Sequence, residues 1–203
     1  MSWIQNNKHK IIPFLKFIGY DYKQWVRTVM YKKCYTLVNE LRPNELDTLE
    51  ISGAENWQHL GFKSFVSTEY PAFDICKDTL DKQFDLIIAD QIFEHLLYPY
   101  RAAKNVYQML KPGGHFLITT PFMIKIHPMP YDCTRWTETG MKYFLHECGF
   151  ALENIQTDSW GNKSCVRANM RKGWAPRGWF GSLKNQAWFP VTVWALAKKE
   201  ITG

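Results

Sequence analysis

The sequence predicts an α/β fold built on a doubly wound, mostly parallel sheet. Two observations support it. Short apolar runs alternate with amphipathic stretches along the chain, which is the pattern of repeated βαβ units. Three successive predicted strands also end in an acid, at Glu50, Glu69 and Asp90. Ligands of such sheets bind beyond the carboxyl ends of the strands, so these acids predict a binding rim.

The predicted strands are apolar runs at residues 47–52, 63–70, 84–90, 115–121, 151–158 and 189–199. The run FDLIIAD, residues 84–90, is almost continuously apolar. Such a run is typical of a central strand that is covered on both faces.

Three helices are predicted between these strands, at residues 22–41, 99–110 and 137–150. Pro99 suits the first turn of the second helix, where its missing N–H would have no partner in any case. The run KPGG, residues 111–114, is expected to stop that helix. After the first strand only a short helix fits, over residues 55–60.

Length and composition limit the kinds of protein that this chain could be. The 203 residues carry 46% hydrophobic residues and a formal charge of +6, which favours an anionic partner or substrate. The five cysteines include no CxxC pair, so reduced thiols in a cytoplasmic protein are expected rather than disulfides or zinc. The N-terminus does not have the pattern of a signal peptide.

Residues 84–121, FDLIIADQIFEHLLYPYRAAKNVYQMLKPGGHFLITTP, resemble class I S-adenosylmethionine-dependent methyltransferases. The resemblance covers the family's fourth strand, its EH loop, the helix, the LKPGG turn and the fifth strand. Residues 127–137, HPMPYDCTRWT, are similar to a segment of small bacterial methyltransferase-domain proteins. The resemblance implies a Rossmann-like sheet of the seven-stranded type with S-adenosyl-L-methionine as the cofactor.

The resemblance divides one methyltransferase domain into four parts. It implies an N-terminal helical cap (1–45), a cofactor-binding core (46–158), a C-terminal insertion (159–188) and a last strand (189–203). Little sequence separates Glu69 from Asp90. The family's third strand is therefore expected as a stub near Phe73, with its helix trimmed.

The cofactor-binding residues implied by the resemblance are Glu50, Ser52, Gly53, Glu69, Tyr70, Asp74, Ile75, Asp90 and Gln91. Glu69 is expected to accept hydrogen bonds from both ribose hydroxyls, because a carboxylate offers two acceptor oxygens. Asp74 and Ile75 are expected beside the adenine. Asp90 and Gln91 are expected beside the reacting methyl group.

The turn ISGAEN, residues 51–56, keeps only Gly53 where many members of the family have two or three glycines. The methyl donor has no phosphate, so one close backbone approach and one ribose-binding acid would suffice. A decayed cofactor site is the alternative interpretation.

The catalytic candidates are His95 and His127, which follow the fourth and fifth strands. Either imidazole could remove the proton of an acceptor hydroxyl. Asp132 and Arg135 are predicted to bind substrate, with Arg135 holding an anionic group. Two structural alternatives stay open: His95 or Glu94 orients its loop, and Asp132 pairs with Arg135 as a brace.

No metal site is predicted. Some quinone-pathway O-methyltransferases hold a divalent metal through two acids and a histidine after the fourth strand. This chain resembles that pattern only in part, because Gln91 stands where the first acid would be, although Asp90 is adjacent.

The insertion contains no acid but many basic residues, interleaved with four tryptophans. A lid over a phosphorylated or carboxylated substrate is predicted here. The alternatives are a surface that stacks single-stranded nucleic acid and a solvated loop with its rings packed on the sheet.

The sequence therefore predicts a methyltransferase that O-methylates a small oxygenated or anionic acceptor, such as a sugar or another metabolite. A small-molecule substrate is expected, without a membrane and without nucleic acid. Two alternatives are a nucleic-acid-modifying enzyme and a non-catalytic partner protein that has kept the fold.

Overall fold

The computed structural model describes residues 13, 17–53 and 56–201. Most of the N-terminal part of the predicted cap, and Glu55 of the predicted short helix, lie outside the described residues. The division of the chain into cap, core, insertion and last strand stays a prediction.

The strands, in chain order, are β1 (Asp21–Gln24), β2 (Asp47–Ile51), β3 (Ser64–Thr68), β4 (Phe84–Asp90), β5 (Leu110–Pro121), β6 (Ile155–Trp160), β7 (Pro176–Gly178) and β8 (Thr192–Lys198). The described helices include α1 (Trp25–Glu40), α2 (Pro99–Met109), α3 (Glu138–Glu147) and α4 (Lys163–Lys172). None of the helices in the described part of the chain is long and apolar enough to cross a membrane.

The central sheet has six strands in the order β3-β2-β4-β5-β8-β6. Strands β3, β2, β4 and β5 pair in parallel, and β8 pairs antiparallel with both β5 and β6. The predicted fold class is confirmed. The carboxyl ends of the parallel strands meet at one edge, and the strand order reverses between β2 and β4, where ligands of such sheets bind.

The region between β3 and β4 is trimmed as predicted, but the stub of a strand expected near Phe73 does not form. Residues 69–83, all of them described, connect β3 to β4 without a helix or a strand. Because β3 and β4 both run parallel to β2, residues 69–83 lead from the carboxyl end of β3 back to the amino end of β4. The first part of this loop turns at the carboxyl edge, where the N–H of Phe73 bonds to the carbonyl of Glu69 at 2.9 Å.

Strand β4 lies at the centre of two hydrophobic layers. Ile87 packs with residues of α2 and α3, whereas Leu86 and Ile88 pack with residues of α1. Successive side chains of a strand point to opposite faces. The continuous apolar run of β4 is therefore explained by helices on both faces of the sheet.

The boundaries of several elements differ from the predicted ones. Residues 22–24 form part of β1 rather than of α1, because they pair with β7 of the insertion. Helix α3 ends at Glu147, earlier than predicted, and Thr137 caps it by accepting the N–H of Gly140 at 3.1 Å. In the described part of residues 55–60, only a 3-10 turn forms, at Gln58–Leu60.

Gly161, directly after β6, permits a close crossing of two chain segments. A Cβ atom at Gly161 would lie 2.0 Å from the carbonyl oxygen of Phe189 and 2.5 Å from the nitrogen of Val191. We expect Gly161→Ala to lower the free energy of unfolding by about 1–3 kcal/mol, since overpacking against backbone forces a shift. Urea unfolding would measure this change.

Gly140→Ala is the matched control. Its Cβ would meet Thr137 Oγ1 at 3.4 Å, an ordinary contact, inside the first turn of α3. Alanine is the better helix former by about 1 kcal/mol, so this variant should be as stable as the wild type or more stable. Equal stability of Gly161→Ala and the wild type would contradict the close crossing.

Candidate active site

Asp90, the last residue of β4, is held by donors from three other elements. Its Oδ1 accepts the hydroxyl of Thr119 at 2.7 Å, and its Oδ2 accepts the hydroxyl of Tyr31 at 2.8 Å and Nε1 of Trp57 at 3.3 Å. Burial, and then the charge of Asp90, raise the pKa of Tyr31. Both oxygens of Asp90 therefore have protein partners, and its contact with the cofactor stays a prediction.

Gln91 adopts a left-handed backbone with φ of +60°. This conformation is uncommon for a residue with a side chain and is often found at functional sites. Its amide nitrogen Nε2 donates to Thr119 Oγ1 at 3.2 Å, and the side chain is buried. Gln91 thus turns the chain at the carboxyl edge while its own side chain points into the protein.

In the turn after β2, Ser52 adopts the left-handed backbone and Gly53 has the close neighbour. Ser52 has φ of +50°, so serine takes the left-handed position. A Cβ at Gly53 would lie 1.9 Å from Cδ of Glu50, whose side chain is fully buried. Glycine at position 53 is therefore required by the Glu50 side chain, and the approach of this backbone to the cofactor stays a prediction. Ala54 and Glu55 lie outside the described residues.

A cavity of about 370 Å³ opens at the same edge, and we call it the large cavity. Five of the predicted site residues line it: Ser52, Tyr70, Asp74, Ile75 and His95. Its other walls come from the loop before α2 and from residues 129–131. Its volume lies within the range of small-molecule binding sites.

Glu69 lies beside the large cavity, next to Tyr70. Its side chain is exposed, and no described residue bonds or ion-pairs with its carboxylate. Asp74 differs, because its oxygens accept Nζ of Lys77 at 2.9 Å and the N–H of Cys76 at 3.0 Å. The bond from Lys77 is the main cause of the lowered pKa of Asp74.

Glu94, His95 and His127 form a cluster between the β4 and β5 loops. Glu94 and His95 belong to a 3-10 turn that follows β4, and Glu94 is fully buried. Oε1 of Glu94 lies 3.5 Å from Nε2 of His95 and 3.9 Å from Nε2 of His127. The two imidazole rings meet edge to face, with centroids 4.9 Å apart.

The outer nitrogens of both imidazoles face acceptors. Nδ1 of His95 lies 2.5 Å from the carbonyl oxygen of Tyr131, and Nδ1 of His127 lies 3.3 Å from Oδ2 of Asp132. The Glu94 carboxylate is the main cause of a raised pKa of His127; burial opposes this shift and Asp132 adds to it.

Asp132 and Arg135 are paired with each other. The guanidinium of Arg135 bonds to both carboxylate oxygens of Asp132 and to the carbonyl of Thr134. These bonds lower the pKa of Asp132 to about 2. Asp132 and Arg135 therefore form the loop brace that was the structural alternative. Their role in substrate binding stays a prediction.

A second cavity, of about 160 Å³, is called the small cavity. His127, Lys125, Asn169 and Trp174 are among the residues that line it. Trp174 contacts the His127 ring edge to face at a centroid distance of 5.2 Å. The guanidinium of Arg27, from α1, lies 5.4 Å from the centre of the Trp174 ring.

The sequence missed part of this arrangement. Glu94 was predicted only to orient its loop. Its position beside His95, soon after a buried strand, could have indicated that it belongs to the site. Trp174 and Arg27 lie far from the cluster in sequence, and no local pattern connects them with it. His95 and His127, both predicted, are brought together.

Comparisons with known proteins bear on the family and the fold of the chain. Residues 11–153, more than half of the chain, match a family model described as "Methyltransferase domain". A probable S-adenosylmethionine-dependent methyltransferase of Mycolicibacterium smegmatis is 27% identical over 101 residues. That match covers 44% of this chain and 39% of the relative, so the chain spans well under half of that relative's length.

Solved structures share the fold. An S-adenosylmethionine-dependent methyltransferase from Mesorhizobium loti aligns with a TM-score of 0.54 and 15% identity, over 81% of this chain and 96% of its own. A second, from Archaeoglobus fulgidus, gives a TM-score of 0.54 and 14% identity, over 84% and 93%. The chain therefore belongs to the methyltransferase-domain family and has the class I fold of methyltransferases that use S-adenosylmethionine.

Proposed function

We propose that this protein transfers a methyl group from S-adenosylmethionine to a hydroxyl of a small anionic acceptor. One observation carries the proposal: the Glu94, His95 and His127 cluster contributes to the walls of two cavities. His95 lines the large cavity, His127 lines the small one, and their ring centroids are 4.9 Å apart. Donor and acceptor can thus both reach this one set of polar side chains.

The large cavity fits the methyl donor. Ile75 and Phe73 offer apolar surface for an adenine, and the Glu69 carboxylate beside them has no protein partner among the described residues and is available to ribose hydroxyls. The turn of Ser52 and Gly53 allows the backbone to approach the methionine portion. The donor supplies an electrophilic methyl group on a sulfonium sulfur.

The cluster faces the position where an acceptor hydroxyl must lose its proton. Alignment and exclusion of water supply most of the rate of a displacement at carbon. His95 and His127 remain the catalytic candidates, since their Nε2 atoms point at the buried Glu94 carboxylate rather than at solvent. Asp132, held by Arg135, accepts the backbone N–H of His127 at 2.8 Å and so helps to position that residue.

Positive charge beside the small cavity supports an anionic acceptor. Lys125 lines this cavity, and Arg27 lies over Trp174 in its wall. Nε of Arg27 is buried and has no hydrogen-bond partner in the described part of the chain. A buried donor without a partner costs free energy, and an anionic group of the acceptor would remove that cost.

Glu69→Gln tests the donor site. We expect the affinity for S-adenosylhomocysteine, measured by titration calorimetry, to fall about tenfold or more, because hydrogen bonds to a charged group are lost. Glu153→Gln is the matched control: Glu153 is exposed and lies at the opposite edge of the sheet, just before β6. Its affinity should equal that of the wild type.

Wild-type protein that fails to bind S-adenosylhomocysteine would contradict the proposed function. It would favour the decayed site and a non-catalytic role on the same fold. Wild-type binding with an unaffected Glu69→Gln variant would remove Glu69 from the donor site and leave the proposal in place.

Lys125→Gln tests the acceptor site. Transfer of a labelled methyl group should be found with phosphorylated or carboxylated sugars and not with the matching neutral sugars. In the variant the KM for the anionic acceptor should rise about tenfold, the effect of losing one charged hydrogen bond, while the affinity for S-adenosylhomocysteine stays unchanged.

Lys104→Gln, on the exposed face of α2, serves as the control and should leave this KM unchanged. Equal turnover of neutral and anionic sugars would contradict the anionic acceptor. Methyl transfer to RNA, with an affinity that falls steeply as salt is added, would contradict the small-molecule acceptor.

A further inference from the structure

The Glu94 carboxylate is buried without compensation by hydrogen bonds. Its side chain has no exposed surface, and neither of its oxygens has a hydrogen-bond partner in the described part of the chain. A buried carboxylate in this state is costly unless a proton or another cation balances it. The nearest side chains that could balance it are His95 and His127.

The distances within the cluster are too long for hydrogen bonds. Oε1 of Glu94 lies 3.5 Å from Nε2 of His95 and 3.9 Å from Nε2 of His127, whereas N–H···O bonds are about 2.7–3.2 Å long. Ligands bound at about 2.0–2.2 Å to one metal ion stand roughly 3.0–3.6 Å apart. The 3.5 Å spacing falls in that range, whereas the other ligand atoms, which lie within 4.8 Å of one another, would have to move closer to share one metal ion.

The tautomer of His95 also suits a metal ligand. A carbonyl oxygen can only accept, so the contact between Tyr131 and Nδ1 of His95 places the proton on Nδ1. In the neutral ring Nε2 then presents its lone pair toward the carboxylate. Ligating histidines commonly bond to a carbonyl or a carboxylate in this way. His127 is held differently: Oδ2 of Asp132 accepts its backbone N–H at 2.8 Å and lies 3.3 Å from Nδ1 without a hydrogen bond, while Nε2 faces Glu94.

From this geometry we infer a divalent metal site formed by Glu94, His95 and His127, whose ligand atoms lie within 4.8 Å of one another. Two imidazoles and one carboxylate favour a transition metal such as Zn²⁺, Fe²⁺, Mn²⁺ or Co²⁺ over Mg²⁺ or Ca²⁺. Asp132 is a positioning residue that accepts the backbone N–H of His127.

The inferred site deepens the proposed function and rests on it for its role. Three protein ligands leave coordination positions open, as in catalytic metal sites. The cluster contributes to the walls of the large and the small cavity, so an acceptor oxygen in the small cavity could occupy an open position. Coordination lowers the pKa of a bound hydroxyl, which would favour transfer to oxygen.

Cobalt titration of the full chain, first stripped with a chelator and desalted, tests the site. We expect one equivalent of Co²⁺ to bind and to produce visible d–d absorption bands. Glu94→Gln should abolish these bands while keeping the size of the side chain. Asp132→Ala removes the acceptor of the His127 backbone N–H and should weaken binding about 10–100-fold, the usual effect of losing a group that supports a metal ligand.

His59→Gln is the matched control, because His59 belongs to the 3-10 turn after β2, outside the cluster. Its cobalt spectrum should equal that of the wild type. Thermal unfolding gives a second readout. Zn²⁺ should raise the Tm of the wild type, since a ligand that binds only the folded state stabilises it. It should not raise the Tm of Glu94→Gln.

Wild-type protein that binds no Co²⁺, or a Glu94→Gln variant that binds it as tightly as the wild type, would overturn the inferred site. Calorimetry with S-adenosylhomocysteine on the same metal-free samples separates the two proposals. Binding of this probe without any metal binding would remove the metal site and leave the proposed function, with an imidazole taking the proton directly. Metal binding without binding of S-adenosylhomocysteine would keep the metal site and contradict the proposed function.

Discussion

The carboxylate of Asp90 connects the elements that surround both cavities. Tyr31 reaches it from α1, Trp57 from the turn after β2, and Thr119 from β5. Hydrogen bonds to a charged group contribute about 1.5–3 kcal/mol each. Because β4 lies at the point where strand order reverses, these bonds fix the position of the loops on both sides of it. The large cavity and the cluster depend on that alignment.

The sequence predicted elements whose cause is local. The run FDLIIAD is apolar because helices cover both faces of β4, and the helix after Pro99 follows from its own first turn. β1 was missed since its partner, β7, lies more than 150 residues away in sequence. The four residues of β1 resemble the start of a helix until that partner is in place. Pairing at such distance leaves no pattern within a short window.

The candidate site was predictable to the extent that strand ends determine it. His95 and His127 follow parallel neighbours, β4 and β5, so their meeting follows from the topology. The burial of Glu94 does not follow from the topology, because residues 127–135 must fold back over the 3-10 turn to cover it. The N–H of Cys133 bonds to the carbonyl of Glu94 at 2.7 Å in this arrangement. The left-handed backbone of Ser52 was also missed, since glycine was the expected residue for such a turn.

The insertion is bonded to α1 as well as to the sheet. β7 pairs with β1, the N–H of Trp25 bonds to the carbonyl of Ala175 at 3.0 Å, and Nε1 of Trp25 bonds to that of Ser182 at 3.1 Å. The same helix carries Tyr31 to Asp90. Replacing the insertion would therefore disturb α1 and, through Tyr31, the bonds around Asp90. If the insertion contacts the acceptor as proposed, acceptor specificity could not be exchanged as a separate module.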